Sequence, residues 1–298
     1  MTVQFRCPAC AALHCSEILA PHAEFSCACG LWQKSAGALP DFTLACPADD
    51  QTAYFRNGYH ERWQREQAEF DADPRHARYR SICLEKVLAH LPSGRVGQVL
   101  DAGSGLGHFL NRLPVGVDVH AVDLSCGNLH YLRKTWAKEN DGAHLWNAPI
   151  EALPFADAQF DVAYCFSVLW YVAAWRRGVE ELCRVTRPGG AVVFDFHNGW
   201  SPWQRWHSLY ACVRRAVQSS REEITTYAPS PKEVMSLLHR GGFEVNVEGY
   251  YALLPTRLPP FGSYGQLAQR SDVLAFSFAR TPLRWTGATL LVVGRKTT

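Results

Sequence analysis

Residues 99–107 read Val-Leu-Asp-Ala-Gly-Ser-Gly-Leu-Gly, an apolar run closed by an acid and three glycines at alternate positions. A strand that ends in a glycine turn and opens a helix directs backbone N–H groups toward a ligand. Glycines let that backbone pass through positive φ and approach the ligand closely. The pyrophosphate-binding spacing G-x-G-x-x-G would need a third glycine where this chain has His108, which argues against a dinucleotide. Asp101 stands before the first glycine, and a carboxylate there repels a pyrophosphate and suits a cation. Asp123 ends the next expected strand, 22 positions on, where a carboxylate can accept both hydroxyls of a ribose. The ligand these residues fit carries a positive amino group, a ribose and a base. S-adenosyl-L-methionine has all three.

A second set of reactive residues lies near the N-terminus. Six of the 11 cysteines fall within residues 1–46. Cys7 and Cys10 form a C-x-x-C knuckle, and Cys27 and Cys29 follow as C-x-C ahead of Gly30. Two knuckles at this separation are the pattern of a tetrahedral thiolate zinc site, and in a segment too short to bury a core the metal contributes the folding energy. The second knuckle is irregular, so Cys15 is a substitute ligand and Cys46 a weaker one. The other five cysteines read as small buried hydrophobes.

These residues need a scaffold. The chain has 298 residues, 47% hydrophobic and 19% charged, with a net charge of +2, which describes a globular protein and not a disordered one or a general nucleic-acid binder. No signal-peptide pattern opens it and no apolar run is long enough to span a bilayer, so a cytoplasmic location is expected. Residues 46–60 read as a polar linker and 61–91 as helices interrupted at Asp73-Pro74. From residue 96, strands alternate with helices, the mark of a doubly wound α/β sheet. Ser125 is placed to cap a helix starting at Cys126, and a helix over VEELCRVTRPGG should stop at Pro188-Gly189-Gly190. Trp200, Trp203, Trp206 and Tyr210 recur at helical spacing after Ser201-Pro202, as an aromatic lid or as core. Ser230, Pro231 and Glu233 form a capping-box start, and two closing strands follow, FEVNVEGYYALL and ATLLVVGRK.

With four motifs in order, the chain resembles class I S-adenosylmethionine-dependent methyltransferases of the small-molecule type. The matching stretches are VLDAGSGLG at 99–107, AVDLS at 121–125, IEALPFADAQFDVAYC at 150–165 and ELCRVTRPGGAVVF at 181–194, extended by GGFEV at 241–245. Residues 1–45, closing on GALPDF, resemble the zinc-ribbon heads of some bacterial methyltransferases. The resemblance implies a Rossmann-like methyltransferase domain over 93–298, a helical substrate-side insertion at about 200–230, N-terminal helices over 46–92, and a zinc-ribbon-like head.

Carried over residue by residue, Asp101, Gly103, Ser104, Gly105 and Gly107 would hold the methionine part, with Ser104 also fitting as turn filler. Asp123 would hold the ribose, Leu124 and Ile150 would lie against the adenine, and Cys165, Phe166 and Ser167 would form the floor under the methionine tail. Many members of the family place an Asp where this chain has Pro149, so either Asn147 or backbone groups replace it, or cofactor binding is weaker. His197 is the candidate general base and Tyr171 a candidate substrate-orienting residue, each with a packing role as its alternative.

The strand-4 end, Tyr-Cys-Phe-Ser at 164–167, lacks the N/D-P-P-Y pattern used on base amino groups. Residues 1–60 carry three cations against five acids, which disfavours an RNA-gripping head. Residues 251–298 carry six cations against Asp272, a surface for an acidic substrate or simply a solvated face. The expected activity is methyl transfer to a small or lipid-linked metabolite. An RNA methyltransferase and a non-catalytic binding subunit are the competing readings.

Overall fold

The computed structural model describes residues 3–7, 10, 12–16, 25–27, 29–32, 39, 41–43, 49–57, 59–60, 74–94, 96–137, 143–202, 204–206, 209, 224–250 and 279–297. Seven strands form one sheet in the order β10-β11-β9-β8-β5-β6-β7. They are β5 (Gln98–Ala102), β6 (Asp118–Asp123), β7 (Ala143–Asn147), β8 (Phe160–Cys165), β9 (Thr186–His197), β10 (Phe243–Tyr250) and β11 (Thr289–Lys296). The five strands β5 to β9 run parallel, and β11 lies antiparallel between β9 and β10. The strand order reverses direction at β5, which opens a crevice beyond the carboxyl ends of β5 and β8. Both faces of β6 and β8 are buried, including the polar side chains of Asp118, His120, Asp123 and Asp161.

Helices α2 (Pro74–Leu88), α3 (Cys126–Thr135), α4 (Trp175–Val185) and α5 (Pro231–Arg240) accompany the sheet. Ser125 and Ser230 cap α3 and α5 by accepting from the Asn128 and Glu233 amides. One face of the sheet packs Tyr79, Cys83 and Val87 of α2, and the α4 residues Val179 and Leu182 belong to a separate apolar cluster. Four short strands make two antiparallel hairpins at the N-terminus: β1 (Val3–Arg6) with β2 (Leu13–Ser16), and β3 (Phe25–Cys27) with β4 (Gly30–Trp32). This head sits on the loop before β8. The Arg6 amide donates to Pro154 O, and Phe42 N donates to Asn147 O at 2.7 Å.

Several elements differ from expectation. Residues 50–57 are helix α1 (Asp50–Asn57) rather than linker, capped by Asp49, whose carboxylate accepts from Thr52 N and Oγ1 at 2.8 and 2.7 Å. The helix before Pro188 ends early, at Val185, and Thr186 turns its hydroxyl back onto Leu182 O. Pro188-Gly189-Gly190 then lies within β9 beside a register shift, and Gly190 passes so close to Asp161 O that a Cβ there would meet it at 2.7 Å. Strand β7 had no forecast, because its sequence Ala-His-Leu-Trp-Asn is short and mixed. The expected helix over 61–73, Trp203, Tyr210 and most of the insertion, and most of the basic stretch after 250 lie outside the described residues. Among the described residues, no helix is long and apolar enough to cross a membrane.

Arg184 fastens the ALPF loop to α4. Its guanidinium donates to Leu153 O and Phe155 O and pairs with Asp157 and Glu181, while Leu153 N donates to Glu181. Arg184→Ala is expected to cost roughly 2–3 kcal/mol, because two carbonyls lose this donor and the Glu181 carboxylate loses its cation. Urea unfolding of the two proteins measures it.

Candidate active site

A cavity of about 300 Å³ occupies the crevice, at the low end of ligand-site volumes. Its floor is the turn after β5. Gly103 and Gly105 have φ of +87° and +53°, a conformation that glycine adopts without strain. A Cβ on Gly103 would overlap the Val168 side chain, so the β5 turn and the turn after β8 can touch only through a glycine. Gly105 instead faces open space, where a side chain would fill the ligand's place.

Asp101 is 3% exposed and lines the cavity, and its Oδ2 has no protein partner. Burial pushes its carboxyl up to about 8; the Tyr164 hydroxyl pulls it down and the Asp123 charge pushes it further up. Asp123 lies across the turn. Its Oδ2 accepts the Gly105 amide and its Oδ1 the Ser125 amide, both at 2.7 Å. Burial raises this carboxyl too, opposed by those amides. The Ser104 hydroxyl is also buried without a partner.

Of the residues expected at the site, the cavity is lined by Asp101, Gly103, Ser104, Gly105, Asp123, Leu124, Ile150, Phe166, Ser167 and Tyr171. Three others are not among its walls. Gly107 packs against Leu132, where a Cβ would meet that side chain. Cys165 is fully buried in the sheet core, where burial pushes its thiol far up. His197, the expected base, lies flat on Trp170 at 4.2 Å between ring centres. Asn147 is also turned away: its side-chain amide donates to Asp123 O and Leu124 O, so it braces the end of β6. Pro149 and Glu151 face the cavity there, and burial raises the Glu151 carboxyl.

The structure adds walls that the sequence reading missed. His76, Tyr79 and Arg80 line the cavity from one face of α2, a face legible in principle from their i, i+3, i+4 spacing. Phe55 of α1 and Tyr59 beyond its end line the cavity too, and the Phe55 ring stands 5.1 Å from that of Tyr171. Gln51 holds α1 there by donating to Tyr171 O and Thr225 O and accepting from Thr225 N.

Two clusters lie elsewhere. The Sγ atoms of Cys7, Cys10, Cys27 and Cys29 lie within 4.8 Å of one another, with the pairs Cys7–Cys29 and Cys10–Cys27 at 3.3 Å. The irregular C-x-C knuckle thus delivers both of its thiols to the same point. At the opposite, amino ends of the strands, Asp118, His120 and His144 converge in the core. Trp146 Nε1 donates to His120 Nδ1, which leaves the ring proton on Nε2, facing Asp118. His144 Nε2 approaches the same carboxylate oxygen at 2.9 Å. Burial drives the His120 pKa down to about 3, so that ring is neutral, while its neighbours hold the Asp118 carboxyl low against burial.

Residues 100–194 match the methyltransferase domain family. The malonyl-[acyl-carrier protein] O-methyltransferase of Erwinia pyrifoliae is 39% identical over 122 residues, which cover 40% of this chain and 45% of that protein. The same-named protein of Pectobacterium atrosepticum is 38% identical over 111 residues, 37% of this chain and 42% of the relative. The chain thus spans less than half the length of these curated relatives. Among solved structures, the magnesium protoporphyrin IX methyltransferase of Synechocystis with bound SAH superposes with a TM-score of 0.57 at 12% identity, covering 83% of this chain and 98% of that one. A chain of the complex between the Haloferax volcanii Trm112 methyltransferase activator and a methyltransferase gives 0.55 at 18% identity, covering 80% and 96%. These likenesses establish the α/β methyltransferase fold.

Gln51→Ala should release α1 from the cavity wall. Amide hydrogen exchange over residues 50–57 is expected to quicken roughly tenfold, the counterpart of about 1.4 kcal/mol of local stability, with exchange in the sheet unchanged.

Proposed function

We propose that the protein is an S-adenosyl-L-methionine-dependent methyltransferase acting on a small, lipid-linked or carrier-linked metabolite, with a carboxylate oxygen as the acceptor. The observation that carries this reading is Asp101: a buried carboxylate with a free oxygen, on the wall of a cavity floored by a positive-φ glycine turn. An ammonium group is the partner that such an acid lacks. Asp123, at the end of β6 beside that turn, has the position to accept ribose hydroxyls, and Leu124 and Ile150 offer apolar surface to the adenine. Backbone groups of 148–151 and Glu151 face the region where Asn147 was expected to act. Bound there, the cofactor supplies a methyl group on a sulfonium, ready for in-line transfer.

The relatives' name supports an oxygen acceptor on an acyl group. A carboxylate is already nucleophilic, so positioning alone supplies much of the rate. That agrees with His197 standing off the cavity. Methyl transfer to the carboxylate oxygen breaks the sulfonium–methyl bond and leaves a methyl ester and the thioether S-adenosylhomocysteine. Arg80 supplies positive charge for a carboxylate in a cavity otherwise walled by Asp49, Asp101, Asp123 and Glu151. The four converging thiols suit a structural zinc ion, and a reducing cytoplasm suits four free thiols. Within this group Cys10 is drawn down to about 7, chiefly by the Ala12 amide, while Cys29 is pushed far up by the neighbouring thiols.

The deciding experiment is transfer of labelled methyl from S-adenosylmethionine into a cell extract, with RNase-treated and untreated halves and Asp101→Ala as control. Label in the small-molecule or carrier fraction, insensitive to RNase and lost in the variant, is expected. Label confined to RNase-sensitive polymer would sink the metabolite reading.

Because Asp101 is raised to about 8, it holds its proton near pH 7 in the free protein, and an ammonium ligand favours the carboxylate. S-adenosylhomocysteine binding at pH 7 should therefore release a proton, and affinity should climb as pH rises toward that value. Calorimetry in buffers of different ionisation heat reads the proton directly. Asp101→Asn should abolish the release and weaken binding roughly 10- to 100-fold. Metal analysis of the purified protein should return one zinc per chain, lowered in Cys10→Ser.

A further inference from the structure

We propose that Asp195 is a positioning residue that holds two walls of the cofactor cavity in register. Asp195 lies in β9, fully buried, and is not itself part of the cavity wall. Each of its oxygens accepts a bond from a residue that is. Oδ2 accepts the Tyr79 hydroxyl at 2.9 Å and Oδ1 accepts the Ser167 amide at 2.7 Å.

Ser167 is the second residue after β8, and its φ is +62°, a left-handed conformation that a residue with a Cβ holds only when its surroundings impose it. The bond to Asp195 is such an imposition. The next residue, Val168, presses on Gly103 of the cofactor turn closely enough to exclude any side chain there. The chain of contact thus runs from Asp195 through Ser167 and Val168 to the glycine turn that begins two residues after Asp101. The second arm runs through Tyr79 to α2, whose same face presents His76 and Arg80 to the cavity.

Packing alone gives no reason for a carboxylate at this place. Its sheet neighbours Val193 and Leu291 are apolar and buried, and an apolar residue would suit them. Its partners are a hydroxyl and an amide rather than a cation, so burial pushes its carboxyl up to about 7. The neighbouring Cys83 and Cys165 thiols are pushed far up and stay neutral. What the carboxylate contributes is two bonds directed into two walls.

The inference rests on the reading of this cavity as a cofactor site, and S-adenosylhomocysteine is the probe. It is titrated calorimetrically into the wild type, Asp195→Ala, Asp195→Asn and Tyr79→Phe, well below each melting temperature. Asp195→Ala is expected to bind at least about tenfold more weakly. Asparagine keeps an acceptor for the Ser167 amide and can donate to the Tyr79 oxygen, so Asp195→Asn should stay within about threefold of wild type. Tyr79→Phe, which cuts only the α2 arm, should fall between them. Folded Asp195→Ala that binds like wild type overturns the proposal, as does an asparagine variant no better than alanine. If the alanine variant does not fold, Tyr79→Phe decides: a fewfold loss upholds the anchor and wild-type affinity overturns it. Failure of the wild type to bind the probe would instead remove the cofactor reading itself, and the anchor with it.

Discussion

The carboxylate of Asp123 is the junction on which the site depends. It is buried, and it repays that burial by taking amides from two directions: Gly105 from the turn after β5, and Ser125 from the start of α3. Asn128 of α3 adds a third, longer bond at 3.3 Å, and Asn147 of β7 grips the same residue by its backbone carbonyl. Hydrogen bonds to a charged group contribute on the order of 1.5–3 kcal/mol each, which opposes the desolvation of this carboxylate without cancelling it. The β5 turn, α3 and β7 therefore all meet at this one residue of β6, and the glycine turn has a fixed shape before any ligand arrives.

The parts of this arrangement carried by local chemistry were legible in the sequence. The acid and glycines of 101–107, the second acid at Asp123, and the Ser125 and Ser230 caps each declare themselves within a few residues; the three glycines take positive φ and both serines cap their helices. The parts set by distant partners were not. Helix α1 looked like a linker because its own composition is polar. Its place comes from Gln51 reaching Tyr171 and Thr225, 120 and 174 positions away. His197 looked like a base because it follows a strand end beside the crevice, and nothing local foretold that Trp170 would lie flat against it. Asn147 looked free to serve the adenine, and its engagement with the β6 carbonyls depends on the pairing of β7, the strand that had no forecast. Pro188-Gly189-Gly190 read as a helix stop, and the sheet overrode that by drawing the segment into β9.

The cysteine head shows the same division. The knuckles are visible as spacing, yet spacing does not say where the head rests. Cys7, Cys27 and Phe42 belong to the same apolar cluster as Trp146, Ile150, Leu153 and Phe155. The thiol cluster is thereby built onto the loop whose opening residues, 148–151, form one side of the cavity. The head is part of the domain's core rather than a separate bead, and whatever order the four thiols impose on it reaches that loop through direct packing.

The place of β11 governs how the sheet can be assembled during synthesis. Residues 289–296 slot between β9 and β10 and pair with both along nearly their whole length. Until that late segment emerges from the ribosome, β10 has no neighbour in the sheet and the outer side of β9 is bare. The five parallel strands can collapse around the cavity while two apolar rows still wait for their closing strand. Such a nascent chain exposes unpaired backbone for the time needed to make roughly a hundred further residues after β9, which is the condition in which edge-to-edge misassembly competes with folding. The topology thus gives the sheet an interior strand that is made after both of its neighbours.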